Sequence, residues 1–396
     1  MTHKTIAPEI RLKWRLVEDI VQENTARVVD AFRQSGLSAV DLLGSTGYGY
    51  DDRGRNILDQ IVATIFGGDR ALLRPQWASG THALATVLKA VTRAYSTLWI
   101  MSGPPYDTLG PVLTRLRDRH VIVQIVPLVD NMPNLAQLDA KPGDVVYVQR
   151  SRGYSERPSW GEGPIRRVSE AAHAHGAILV VDNCYGEFTQ TREPGHWGAD
   201  LVVGSLMKNP GGTIAPTGAY VAGREPWVSL VADELFAPGI GGEVGATYPY
   251  LRLFAQGLFL APQLVGEAVQ GGIYASFRAR EFDIVSYPGP DDEERNDIVV
   301  ALELGSAERV IKFCRVVQSW SPVDAQVEPQ PWNMPGYQHP IIMAAGGFVA
   351  GGSLELSADA PIRPPYRVFL QGGVNRWHTK LVVDEALEAL GLEVSN

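Results

Sequence analysis

The sequence has 396 residues, 45% hydrophobic and 20% charged, which fits a folded globular chain with one large α/β domain and a smaller one and excludes a disordered segment. Its formal net charge of −9, with no basic run to offset it, argues against nucleic acid or an anionic membrane surface as the main partner. The start "MTHKTIAPEIRLKWRL" lacks an apolar signal core, no apolar stretch approaches membrane-spanning length, and Cys184 and Cys314 stand in no metal-ligand or redox spacing, so a reducing cytoplasm is the expected location and no metal is expected.

Trp14, Val17, Val21, Val28 and Phe32 recur at roughly helical spacing, which predicts an amphipathic helix over 10–34 that packs on the chain's own core or on a partner subunit. Residues 1–50 read as this helical arm plus an interface loop. After "GSTGYGYDDRGR" comes a short helix, "NILDQIVATIFG". From residue 79 the pattern alternates. Helix "SGTHALATVLKAVTRAY" leads to strand "TLWIMSG", then helix "TLGPVLTRLRDR" to strand "HVIVQIVPL". Strand "DVVYVQRS" precedes helix "IRRVSEAAHAHG", and strands "AILVVDN" and "ADLVVGS" come next. Apolar runs of this length between helices predict an α/β domain over 51–280, a mainly parallel sheet flanked by helices. Residues 243–280 read as helical. From 281 to 396 the texture changes, and "VVALELGSAERVIKFCRVVQSW" followed by a Pro-rich stretch predicts a smaller α+β domain.

In an open parallel sheet, ligands sit beyond the carboxyl ends of the strands, and several strand ends here carry unusual residues. Asp182 ends the apolar "AILVVD", where a lone carboxylate is costly unless a cation or donor meets it. It could equally cap the next helix. Lys208 stands just past "LVVGS", where a solvated lysine at a strand exit is the plainer reading. "SGTHALA" opens a helix with small residues and free amides, which suits a phosphate, although simple capping looks the same. Tyr106 in "PPYDT" could lie flat on a planar ligand, and Ser205 could add a hydroxyl to the phosphate. Each signal is weak alone. Together, an amine, an acid, a phosphate cradle and an aromatic plate are what pyridoxal phosphate requires of a protein. His173 and His175 in "AAHAHG" read as imidazoles meeting the last carbonyls of a helix. "GGSLELS" is Gly-rich but lacks the context of a dinucleotide fingerprint.

The stretches "GYGYDDRGR", "SGTHA", "GSLMKNPGGTIAPTG", "APGIGGEVGA", "QGLFLAP", "MPGYQHPIIMAAGGF" and "LELSADAPIRPPY" closely resemble the methionine γ-lyase-like family often labelled aluminium-resistance proteins, across roughly residues 40–380. That family belongs to the fold type I pyridoxal phosphate enzymes, near the cystathionine γ-synthase and β-lyase group. The resemblance implies Lys208 as the Schiff-base lysine and Asp182 as the partner of the pyridine nitrogen. It implies Ser79, Gly80, Thr81 and Ser205 around the phosphate, and Tyr106 as the stacking ring and a proton donor. It also implies a homotetramer, a dimer of dimers, in which Tyr50 and Arg53 reach the neighbouring subunit's phosphate. Arg363 is the candidate for the substrate carboxylate, with Arg367 its near rival. Where the family pattern has a Gln–Gly–Ser–Ser run, this chain has "GFVAGGS", and "GGVNRWH" replaces a Tyr–Glu–His ending. The expected activity is γ-elimination on an L-amino acid with a thiol, halide or similar leaving group. It gives a 2-oxo acid and ammonia or an unsaturated amino acid. β-Elimination, γ-replacement and a non-catalytic cofactor-binding role are the alternatives.

Overall fold

The computed structural model describes residues 6–292, 294–334 and 337–393. Residues 1–5 of the expected N-terminal arm, and Pro335 and Gly336 of the "MPGYQHP" motif, lie outside them. The predicted N-terminal helix is α1 (Pro8–Ser35), and α2 (Arg53–Phe66) comes next, with the Asp52 side chain accepting from the Arg55 amide at its start. Strand β1 (Arg70–Arg74) leads to α3 (Gly80–Val91), β2 (Thr97–Ile100), α4 (Gly110–Asp118) and β3 (Ile122–Ile125). Then come β4 (Val145–Gln149), α5 (Glu162–Ala174), β5 (Ile178–Asp182), β6 (Leu201–Ser205), β7 (Ala219–Gly223), α6 (Glu225–Leu235) and α7 (Leu251–Arg280).

These strands form one seven-stranded sheet in the order β1-β7-β6-β5-β4-β2-β3. From β6 through β3 the pairings are parallel, and β7 runs antiparallel to both β6 and β1. The mainly parallel sheet is therefore as expected. Every residue of β4 and β6 is buried, as continuous apolar strands covered on both faces should be. Strand β1 escapes a reading by apolar runs because "RALLR" has arginine at both ends. Arg74 is nonetheless buried, and its Nη1 donates to Asp59 Oδ1 at 2.7 Å.

The helix expected over 243–280 starts only at Leu251. The preceding segment is held irregular by Gly241 and Gly245, whose φ values of +58° and +105° lie in the left-handed region, and by the Gly245 amide donating to the Tyr48 carbonyl. Helix α7 packs on α1 of the same chain. Trp14 Nε1 donates to the Gln270 carbonyl at 2.8 Å, and Gln270 Nε2 returns a bond to the Trp14 carbonyl at 3.1 Å. The same helix abuts the turn after β6 almost backbone to backbone. A Cβ on Gly257 would stand 2.1 Å from the Gly211 carbonyl oxygen, and one on Gly212 would stand 2.4 Å from that of Gly257.

A second sheet holds β8 (Ser286–Tyr287), β9 (Val299–Glu303), β10 (Ile341–Ala345), β11 (Ser357–Pro361) and β12 (Arg367–Gln371), in the antiparallel order β10-β11-β12-β9-β8. Helices α8 (Ala307–Ser319) and α9 (Arg376–Ala389) accompany it. Asn375, in "GGVNRWH", caps α9, and Trp377 packs edge-on against Trp14, so this departure from the family pattern serves helix packing. His173 bonds the Asp200 carboxylate at 2.8 Å and not a helix-end carbonyl, because Asp200 lies just before β6 beside the end of α5. No helix among the described residues is long and apolar enough to cross a membrane, and no metal-ligating cluster occurs among them.

Candidate active site

Strands β5 and β6 are neighbours in the sheet, and their carboxyl ends deliver Asp182 and the turn carrying Lys208 to one cavity of about 330 Å³. Ser79, Gly80, Thr81, Tyr106 and Ser205 line the same cavity, so seven of the residues singled out from the sequence come together. Asp182 is buried. Its Oδ1 accepts from the Cys184 amide at 3.1 Å and its Oδ2 from the Tyr147 hydroxyl at 3.3 Å. Burial pushes the carboxyl's pKa up, and the Lys208 charge pulls against it. Lys208 Nζ lies 3.4 Å from the centroid of the Tyr185 ring. Burial disfavours its ammonium, while Tyr185 and the Asp182 carboxylate work against burial and raise its pKa.

Ser79 caps α3 by accepting from the His82 amide at 3.1 Å, which leaves the first amides of the helix for a ligand. Gly80 lets the helix start lie close to the strand end there. A Cβ on it would stand 3.2 Å from Ser205 Cβ and 3.3 Å from Cys184 Sγ, closing the space between helix and strand. Tyr106 is fixed by its amide donating to Gln149 Oε1 at 3.1 Å, and its hydroxyl lies 3.5 Å from Thr81 Oγ1. Burial, then the Asp182 charge, raise its pKa well above the phenol range, so it keeps its proton. Cys184 is a neutral thiol for the same two reasons.

Pyridoxal phosphate fits these residues. The start of α3 with Ser205 forms an anion cradle, a buried acid faces a lysine, and a tyrosine ring lies alongside. Ser353 and Ser357 also line the cavity, and their hydroxyl oxygens are buried without a hydrogen-bond partner among the described residues.

Four candidates lie elsewhere. Tyr50 is 59% exposed and stacks on Tyr48, with ring centroids 5.7 Å apart. Arg53 is paired with Asp41 at the same surface. Neither touches its own chain's cavity. Arg363 is exposed on the turn between β11 and β12, outside the cavity. Arg367 donates to Glu303 Oε2 at 3.1 and 2.9 Å and to Glu156 Oε1 at 3.1 Å, and its guanidinium lies 4.7 Å from the Tyr287 centroid. No arginine lines the cavity among the described residues.

The rest of the cavity lining was not legible from the sequence residue by residue. Tyr154, Tyr185, Tyr337, Met343, Gly352, Ser353, Ser357, Asp359, Phe369 and Gln371 all belong to it, gathered from loops and from β10–β12. "GGSLELS", read as a Gly-rich run without context, supplies Gly351, Gly352, Ser353 and Ser357. The signal that was available is the two-residue period of Ser357 and Asp359 in a short strand, which puts both on one face.

A mainly parallel seven-stranded sheet with a lysine and an acid at adjacent strand ends, followed by a smaller antiparallel sheet, is the fold type I architecture of pyridoxal phosphate-dependent enzymes. The chain belongs to the methionine gamma-lyase family, whose model matches residues 2–391. It is 39% identical to uncharacterized protein YnbB of Bacillus subtilis over 94% of this chain and 92% of that one. A Listeria monocytogenes structure described as a "putative cystathionine beta-lyase involved in aluminum resistance" superposes with a TM-score of 0.93, at 39% identity over 96% and 97% of the two chains. A carbon-sulfur lyase involved in aluminium resistance from Clostridium novyi gives 0.90, at 37% identity over 96% and 92%.

Proposed function

We propose that this chain is a pyridoxal phosphate-dependent carbon–sulfur lyase that acts on an L-amino acid by β-elimination. The observation that carries the reading is the meeting of Lys208, Asp182 and the start of α3 in one cavity. The sequence alone ranked γ-elimination first. The description of the Listeria relative, which matches over nearly the whole chain, supports β-elimination better, so that reading is adopted. γ-Elimination is kept as the second reading because of the family model's name.

When bound, the cofactor supplies an electron sink for the pair released at the substrate's Cα. Ser79, Gly80, Thr81 and Ser205 would hold its phosphate, and Asp182 would keep its ring nitrogen protonated. Lys208 Nζ would take the Cα proton, for which it must first be relieved of its own. Tyr106, which keeps its phenolic proton, would offer it to the departing sulfur. Hydrolysis of the released unsaturated amino acid would yield a 2-oxo acid and ammonia.

The same reading takes the exposed Tyr50 and Arg53 as contributions to a neighbouring subunit's phosphate in a dimer of dimers. Arg53→Ala and Lys208→Ala chains, each inactive alone, should then complement when co-expressed, to at most about half of wild-type activity per mixed dimer. Mixed oligomers without activity would remove that part of the reading. The test of the activity itself is incubation of cofactor-loaded protein with S-ethyl-L-cysteine and L-methionine, measuring released thiol and 2-oxo acid. Pyruvate from the first substrate supports β-elimination, 2-oxobutyrate from the second supports γ-elimination, and no product from any β- or γ-substituted amino acid would sink both.

A further inference from the structure

The cavity lining carries a second carboxyl, Asp359, that the proposed chemistry leaves unused. Asp359 sits on β11 between its sheet partners Met343 on β10 and Phe369 on β12. Gln371 Nε2 donates to its Oδ2 at 2.5 Å, and no other protein donor meets the carboxyl among the described residues. The cavity lining as a whole holds three carboxyls (Asp107, Asp182, Asp359) against one amine, Lys208. Lys208 is the group that the cofactor engages, so no other protein cation among the described residues lines the cavity to balance Asp359.

Around Asp359 the wall is aromatic. Tyr154 and Phe369 have ring centroids 4.9 Å apart, and Tyr154 and Tyr337 lie 6.3 Å apart. The carboxylate is close enough to Tyr154, Tyr185 and Tyr337 to raise the pKa of each phenol after burial has done so. The unpartnered hydroxyl of Ser357 stands two residues before Asp359 on the same strand. A carboxylate among aromatic rings is an environment for a small organic cation: the carboxylate supplies the charge and accepts N–H donors, and the rings add their polarisable surface. An anionic side chain would meet the repulsion of Asp359 there.

We propose that this end of the cavity receives a protonated amine carried on the substrate's side chain or leaving group, with Asp359 as its counter-charge. The inference rests on the lyase reading for the placement of the substrate's Cα beside Lys208, and it holds for β- and γ-elimination alike. It names the substrate class as an L-amino acid with a second, cationic nitrogen.

The test uses cofactor-loaded protein and three amino acids with no leaving group, so that binding is read without turnover. L-Ornithine, its neutral isostere L-norleucine and the anionic L-glutamate are titrated by calorimetry. The expected order is ornithine at least ten-fold tighter than norleucine, with glutamate weakest. Asp359→Asn should bring ornithine within about two-fold of norleucine while norleucine binding stays as in wild type.

A second arm needs no variant. Burial holds the Asp359 carboxyl up to about 6, against Gln371 and Lys208, and the other titratable groups near it are Tyr154, Tyr185, Tyr337 and Cys314. Those four titrate above this range to begin with, and burial raises them further. The ornithine advantage should therefore fade as the pH is lowered through about 6, with norleucine unaffected. Equal affinity for ornithine and norleucine in wild type, or a preference that survives both Asp359→Asn and acid, overturns the proposal. A holoprotein that binds none of the three overturns the lyase reading, and the proposal with it.

Discussion

The two ends of the one cavity are built in different ways. The cofactor end comes from the ends of the neighbouring parallel strands β5 and β6 and the first turn of α3, so its groups are anchored by buried, hydrogen-bonded strands. The substrate end comes from an antiparallel sheet and four loops, and its polar groups include hydroxyls with no partner among the described residues. The first is a fixed socket that suits one molecule. The second can change side chains strand by strand without disturbing the first, so the family's chemistry and this chain's substrate choice are separable properties.

That separation can be broken at either end. Lys208→Ala should show the largest effect, a loss of turnover on the order of 10⁴-fold or more, as for removal of other covalent groups. Borohydride should no longer fix cofactor to the chain, and a labelled peptide around any other lysine would contradict the assignment. Asp182→Asn should leave cofactor bound, measured by its visible absorbance after gel filtration, while removing a buried charge partner worth about 3–5 kcal/mol and costing still more in activity. Wild-type turnover in that variant would mean that another group holds the ring nitrogen's proton.

At the substrate end, Asp359 has its pKa raised by burial from 3.8 to about 6, so the folded chain holds that proton more tightly than the unfolded chain does. Its contribution to stability is complete below about pH 4 and is lost as the pH rises to about 6. The cofactor-free Asp359→Asn protein should thus be more stable than wild type at neutral pH, by at most about 3 kcal/mol, and indistinguishable from it near pH 4. Urea denaturation at the two pH values reads this directly, and a variant destabilised at both would refute it. The smallest effect is expected at Arg367, whose guanidinium is spent on Glu303 and Glu156. Arg367→Ala should change kcat/KM by less than about three-fold and stability by about 1 kcal/mol or less. A large rise in KM would return it to the substrate.

The same contrast decides which residues the amino-acid sequence alone makes legible. The cofactor end was legible because its residues come in short contiguous motifs, "SGT", "VVD" and "GSLMK", each at the end of an element with strong periodicity. Strand β1 was hidden because a buried ion pair allowed arginine to sit in a strand. Asp359 and Tyr337 stand inside quoted stretches, but nothing in the chain order shows that they meet Gln371, Tyr154 and Tyr185, which happens only once β11 pairs with β12 and the loops close over them. Arg363 attracted attention by its chemistry, since a guanidinium is the natural partner of a carboxylate, yet its turn carries it to the surface.

Gly257 sits on α7, outside the cavity, yet its backbone rests against that of Gly211, three residues past the lysine. The register of the reactive amine is therefore set from behind, by a helix that meets no ligand. A mutational survey of this chain should find inactivating changes at that helix position as readily as in the cavity wall, and a single methyl group would suffice. Anyone seeking to retune what the enzyme accepts has freedom along β10–β12 and almost none at Gly257.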